Sequence, residues 1–171
     1  NLLGNFALIR LVIQLTAGMT YEYATSILIT TTIPMAIAMM TVPWWARYLD
    51  RVHIARFRTR QGLFWIASQF TTWLASLTGL VGLLALPRVI DGASRGGGML
   101  AWNLGHNDFA DRRMVPLYMG IHVTLTGVRG FLAPYLAVTL LYGWEPDALP
   151  GLTLPAFAGI GVHVFLVTTV L

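Results

Sequence analysis

Long apolar stretches alternate along the chain with short polar clusters, a pattern that predicts membrane-crossing helices rather than amphipathic elements around a soluble core. Six stretches stand out, at about residues 2–18, 23–46, 62–86, 88–109, 115–142 and 152–171. Pro34 and Pro43 fall inside the second and predict kinks there, and Pro87 marks the turn into the fourth. The first stretch reads as a truncated helix with no signal-peptide pattern, so the chain is expected to belong to a longer polypeptide or a larger assembly. The predicted fold class is an all-α membrane protein, with residues 1–171 forming one domain of six transmembrane helices.

Charge adds orientation. The segment 47–60 reads as a loop holding Arg47, Arg51, Arg56, Arg58 and Arg60 against Asp50, and Arg112 and Arg113 follow the fourth stretch beside Asp111. Six alternating crossings put both basic segments on one side and Glu22, Glu145 and Asp147 on the other. The positive-inside rule then predicts cytoplasmic Arg-rich loops, as in a bacterial inner membrane. Composition agrees: the chain is 56% hydrophobic and 11% charged. The formal charge of +4 is the expected topology signal of a polytopic protein, so nucleic-acid partners are not expected. With no cysteine, disulfides and thiolate metal sites are excluded. No phosphate-binding loop, nucleophile elbow or paired-histidine zinc motif occurs, and no enzymatic activity is expected.

The chemistry-bearing residues are those inside the apolar stretches. Arg10, Arg88, Arg95 and Arg129 stand there against a single acid, Asp91. A charge at the bilayer centre costs at least ~2.5–3.5 kcal/mol, so each is expected to face protein, a partner charge or water. Arg88, Asp91 and Arg95 lie at i, i+3 and i+7 on one helix face. They read either as a structural ion pair or as a site where Asp91 neutralises one Arg and leaves the other for an anionic solute. Arg88 is expected near the outer end, partly snorkelling, and Arg95 deeper. Tyr118, His122, Thr126 and Arg129 recur at helical spacing as a polar stripe, with His122 a candidate proton carrier and Arg129 a candidate solute contact. Arg10 and Gln14 make a third polar face, while Asn5 reads as a cap or a hydrogen bond to a neighbour. His106 and Asp108 together are too few ligands for a metal site. His163 reads as an interhelical histidine, with ligation of a haem or chlorophyll metal as the alternative. Gly79, Gly82, Gly92, Gly96, Gly127 and Gly130 are expected to allow close helix approach, and Trp44, Trp45, Tyr142 and Trp144 to be interfacial anchors.

Three short motifs carry a resemblance. After the second stretch comes Ala46-Arg47-Tyr48-Leu49-Asp50-Arg51, then Arg56 and Arg58. The fourth opens Arg88-Val89-Ile90-Asp91-Gly92, and the fifth contains Gly127, Gly130, Ala133-Pro134 and Ala137. In this order the motifs resemble the G-x-x-x-D-R, R-x-x-Q-G and G-x-x-x-G-P signatures of one six-helix half of a major facilitator superfamily transporter. Ala46 stands in the place of the first glycine, Asp91 in that of the Gln, and the third spacing is imperfect. The resemblance implies alternating access against a second six-helix half, with Asp50, Arg51 and Arg88 in the gate. The excess of Arg over Asp within the apolar stretches adds the expectation of a small, anionic solute met by Arg95, Arg129, Asp91, His122 and Arg10, with no cofactor. The rival expectation is a non-transporting accessory subunit of a photosynthetic or respiratory membrane complex, with His122 or His163 holding a chlorophyll-type pigment or haem.

Overall fold

In the computed structural model, which describes residues 2–104, 113–145 and 155–170, the apolar stretches fold as helices, and no strand forms among the described residues. Helix α1 is Leu2–Thr16 and α2 is Glu22–Leu49. Helices α3, α4 and α5 are Ile54–Thr78, Ala85–Leu104 and Val115–Tyr142. The last, α6, is Gly161–Val170, with a 3-10 first turn. Pro34 has no N–H to donate and its ring crowds the preceding turn, and α2 widens into a π turn at Leu28–Thr32 just before it. Gly79 ends α3 in the left-handed conformation, φ 68°, its N–H bonded to Ser76 O.

Among the described residues two helices, α2 and α5, are long and apolar enough to cross a membrane, each 28 residues or about 42 Å at 1.5 Å per residue. The expectation of six spans is met only by these two: α1 and α6 are apolar but short, and α3 and α4 are polar inside. Helices α3 and α4 spend their interior faces on polar groups: Gln61, Ser68, Gln69, Thr72 and Ser76 on one, Arg88, Asp91 and Ser94 on the other, all buried. The basic loop expected at 47–60 is also not a loop. Residues 50–53 alone connect α2 to α3. His53 caps α3, its Nδ1 accepting from the Ala55 N–H at 3.2 Å, so Arg56, Arg58 and Arg60 lie on the first turns of a helix. The start of the stretch expected at 152–171 falls outside the described residues, and its helix begins only at Gly161. Before it, Trp144 and Phe157 pair backbone to backbone at 2.8 and 3.1 Å.

The closest packing joins α2 to α4. A Cβ at Gly92 would lie 2.6 Å from Pro34 O, and one at Gly96 2.8 Å from Ala38 O. Gly97 lies against the Trp45 ring, whose Nε1 donates to Ala93 O at 2.6 Å. Trp45 is fully buried, in an aromatic cluster with Tyr48, Phe57 and Phe64, and is not the interfacial anchor its position near the helix end suggested. Trp44 beside it is exposed. Of the glycines expected to permit close approach, Gly92 and Gly96 do so, whereas Gly79, Gly82, Gly127 and Gly130 meet open space.

These contacts give the helix directions. The order Pro34–Gly92, Ala38–Gly96, Trp45–Gly97 makes α2 and α4 parallel. Ser68 bonds to Pro87 O, Gln61 to Ser94 O and Arg58 to Ala101 O, so α3 runs antiparallel to α4. Trp73 meets His163 and Gln69 meets Thr168, so α3 is antiparallel to α6. At one end of α1, Leu2 and Leu3 share a cleft with Leu132 and Leu136, while Gln14 bonds Tyr142 at the other, so α1 and α5 are parallel. An apolar core of Ala7, Leu8, Val12, Leu84, Ala137 and Phe165 joins α1 to the later helices.

Candidate functional site

The i, i+3, i+7 spacing on α4 does bring Arg88, Asp91 and Arg95 together. Asp91 Oδ2 accepts from Arg88 Nη1 at 3.2 Å and from Arg95 Nε at 2.7 Å. Asn5 reaches across from α1, its Oδ1 accepting from Arg88 Nη1 at 3.1 Å and Arg95 Nη2 at 3.2 Å. Thr72 on α3 adds a longer contact to Arg88 Nη2, 3.5 Å. Two guanidinium groups thus share one carboxylate and one amide oxygen, and the cluster keeps one net positive charge. Its burial is uneven: the Arg88 and Asp91 side chains are 1% and 5% exposed, and Arg95 is 35% exposed. The expected snorkelling of Arg88 is therefore corrected. Asn5, Asp91 and Thr72 hold it inward, and its Nε has no acceptor among the described residues. Arg95 is the open member.

Around this cluster α3 presents a buried polar seam that the sequence reading passed over. Ser94 Oγ donates to Gln61 O at 3.2 Å, Gln61 Nε2 to Ser94 O at 3.4 Å, and Ser68 Oγ to Pro87 O at 3.1 Å. Further along, Thr168 Oγ1 donates to Gln69 Oε1 at 3.1 Å, and a side chain at Gly4 would strike that same amide. The signal was the helical recurrence of Gln61, Ser68, Gln69, Thr72 and Ser76 on one face of an otherwise apolar helix. Asn5 gave no such signal, because its partners are 83 and 90 residues away.

A second feature lies where α1, α3, α5 and α6 surround a cleft of about 710 Å³. Leucines and Trp65 dominate its wall, and among the described residues Arg129 is its one charged side chain. Arg129 is exposed and makes no hydrogen bond or ion pair among the described residues. Arg95 does not line this cleft, so the two expected solute contacts are not brought into one pocket.

Comparison with protein-family models, curated proteins and solved structures finds no match.

The remaining candidates are dispersed. Arg10 is exposed and lies over the Tyr142 ring, 5.7 Å from its centroid, while Tyr142 Oη donates to Gln14 Oε1 at 3.1 Å. Arg10 and Gln14 thus share a face, as their spacing implied, and clasp the end of α5. His122 packs its ring on Trp102, centroids 3.9 Å apart, where α4 meets α5. Tyr118 is exposed and Thr126 half-buried. His163 accepts from Trp73 Nε1 at 3.3 Å through Nδ1, an interhelical bond of the kind expected. Asp50 and Arg51 are exposed at the C-terminal end of α2, where Asp50 makes no ion pair among the described residues. Arg58, exposed on the first turns of α3, reaches the end of α4, its Nη2 donating to Ala101 O at 3.4 Å. His106 and Asp108 lie outside the described residues.

Proposed function

We propose that the chain is one six-helix half of a secondary active transporter for a small anionic solute, working by alternating access against a second half. The observation that carries this reading is a symmetry of helix neighbours. Exchanging α1, α2, α3 for α4, α5, α6 turns the parallel α2–α4 pair into the parallel α1–α5 pair and the α3–α4 pair into α1–α6. It leaves α3–α6 unchanged, and maps the α1–α2 contact onto the place where Trp102 and His122 join α4 to α5. Inverted repeats of three helices are the internal architecture of each half in the major facilitator superfamily. Six crossings in strict alternation also agree with every helix direction derived above. In this arrangement α1 and α4 are equivalent, and both bring side chains to the Asn5–Arg88–Asp91–Arg95 cluster. The cluster's surplus positive charge and the openness of Arg95 support an anionic solute.

The test is transport by the native polypeptide in proteoliposomes, using a panel of radiolabelled small carboxylates. Arg95→Ala should lower uptake of the accepted carboxylate at least tenfold with the amount of reconstituted protein unchanged. Undiminished uptake by that variant would sink the assignment.

One observation favours the second reading, an accessory subunit of a larger membrane complex. Along α5 only Ala133, Ala137 and Leu141 are buried, leaving a broad apolar face uncovered. In that reading His163 would give up the Trp73 hydrogen bond and take a pigment or haem metal, since a nitrogen that accepts the indole N–H leaves the other ring nitrogen protonated. An absorption spectrum of the purified protein separates the two: a bound chromophore favours the subunit.

A further inference from the structure

We propose that the Arg129 cleft is a binding site for a single-chain amphiphilic carboxylate, distinct from the Arg95 cluster and independent of whether the chain transports. Its volume, about 710 Å³, lies within the ~300–1,000 Å³ range typical of small-ligand sites. Leu3, Leu125, Val128, Leu132 and Leu136 make most of its wall apolar, suited to an aliphatic tail rather than a hydrated ion. The hydroxyls in the wall are already committed: Thr168 and Thr169 both donate to Phe165 O, at 2.9 and 2.8 Å. Among the described residues Arg129 is the one charged side chain in the wall, and it lacks an ion-pair partner there. Trp65 in the same wall has a buried indole N–H that finds no acceptor among the described residues.

Charge complementarity selects the occupant. A guanidinium exposed half-way along an apolar helix long enough to cross a membrane is costly unless an anion joins it, and a carboxylate matches its fork with two parallel hydrogen bonds. One cation and one groove fit one anionic head with one tail. Arg129 is the fifteenth residue of the 28 in α5, near mid-helix, far from the depth at which a bilayer phospholipid holds its phosphate. The occupant is therefore a long-chain carboxylate and not a diacyl phospholipid.

The experiment titrates the purified protein in dodecyl maltoside with spin-labelled stearate and reads quenching of tryptophan emission. Saturable quenching is expected, and Trp65→Phe should remove most of it. Arg129→Gln should weaken apparent affinity about tenfold, whereas the methyl ester of the same probe should bind wild type and variant alike. Val128→Phe fills the groove and leaves the charge, so it should weaken binding by a similar factor and stands in if Arg129→Gln does not fold. Equal affinity of the acid for wild type and Arg129→Gln, quenching that survives Trp65→Phe, or displacement by phosphatidylglycerol at lower concentration than by unlabelled stearate would each overturn the assignment.

Discussion

Asp91 is the residue on which the polar centre turns, because two arginines depend on one of its oxygens. Removing one member of a buried charge cluster costs about 3–5 kcal/mol, since the charges left behind lose both partner and water. Asp91→Ala should lower stability by that amount, measured by unfolding in mixed dodecyl maltoside and dodecyl sulfate. Arg95→Gln should cost clearly less, because Arg95 is 35% exposed and water replaces part of the contact. Asn5→Ala leaves two guanidinium donors without their shared amide oxygen and should cost about 1–3 kcal/mol. An Asn5→Ala protein as stable as wild type would show that water substitutes for the amide. At this scale the sequence disclosed the cluster but not its clamp. Spacing on a single helix brings Arg88, Asp91 and Arg95 to one face whatever the tertiary fold, whereas Asn5 acts only through the way α1 packs. The inward turn of Arg88 was hidden for the same reason, as it follows from Asn5 and Thr72 on other helices.

Among the elements, α2 and α4 are fitted by absence of side chains. Gly92 and Gly96 lie against backbone carbonyls that have no rotamer to yield, so a larger residue must part the helices. Gly92→Val should destabilise the protein by roughly 3 kcal/mol through overpacking. Gly127→Ala meets open space and should stabilise it by about 0.5–1 kcal/mol through reduced backbone freedom. Comparing both variants in the same unfolding assay checks the packing, and equal tolerance at the two positions would contradict it. Element limits were legible where local chemistry sets them. The helix 115–142 matches its pattern to the residue, bounded by Pro116 in its first turn and Gly143 after its last. They were not legible at 47–60, where a run of arginines resembles a loop by composition. What makes that segment helical is the His53 cap behind the arginines and the burial of Ile54 and Phe57 between them. Trp45 failed similarly: being near a helix end suggests the interface, but the absence of side chains at Gly96 and Gly97 opens a slot that takes the indole inside.

For the whole molecule, the helix directions and the basic residues make a joint claim about orientation. If all six helices cross the bilayer, the end of α2, the start of α3 and the start of α5 share one side, and that side collects Arg47, Arg51, Arg56, Arg58, Arg60 and Arg113. The opposite side collects the α1–α2 and α3–α4 turns, where Glu22 is the charged residue. Positive charge within reach of the membrane is retained in the cytoplasm, so the arginine side should be internal. The chain contains no cysteine, which allows one reporter thiol to be introduced at a time without background. Thr20→Cys and Leu80→Cys place exposed thiols in the two arginine-poor turns, and Thr59→Cys places one among the arginines of α3. In intact cells a membrane-impermeant maleimide should label the first two and spare the third, which should react only after permeabilisation. Because α2 and α5 are, among the described residues, the two helices long and apolar enough to cross a membrane, the decisive pair is Leu80 and Thr59 at the two ends of α3. Opposite accessibility there would mean that α3 crosses the bilayer despite its polar seam, with the buried glutamines and hydroxyls satisfied by neighbouring helices. Equal accessibility would place α3 on one side and remove the six-crossing arrangement on which the transporter reading depends.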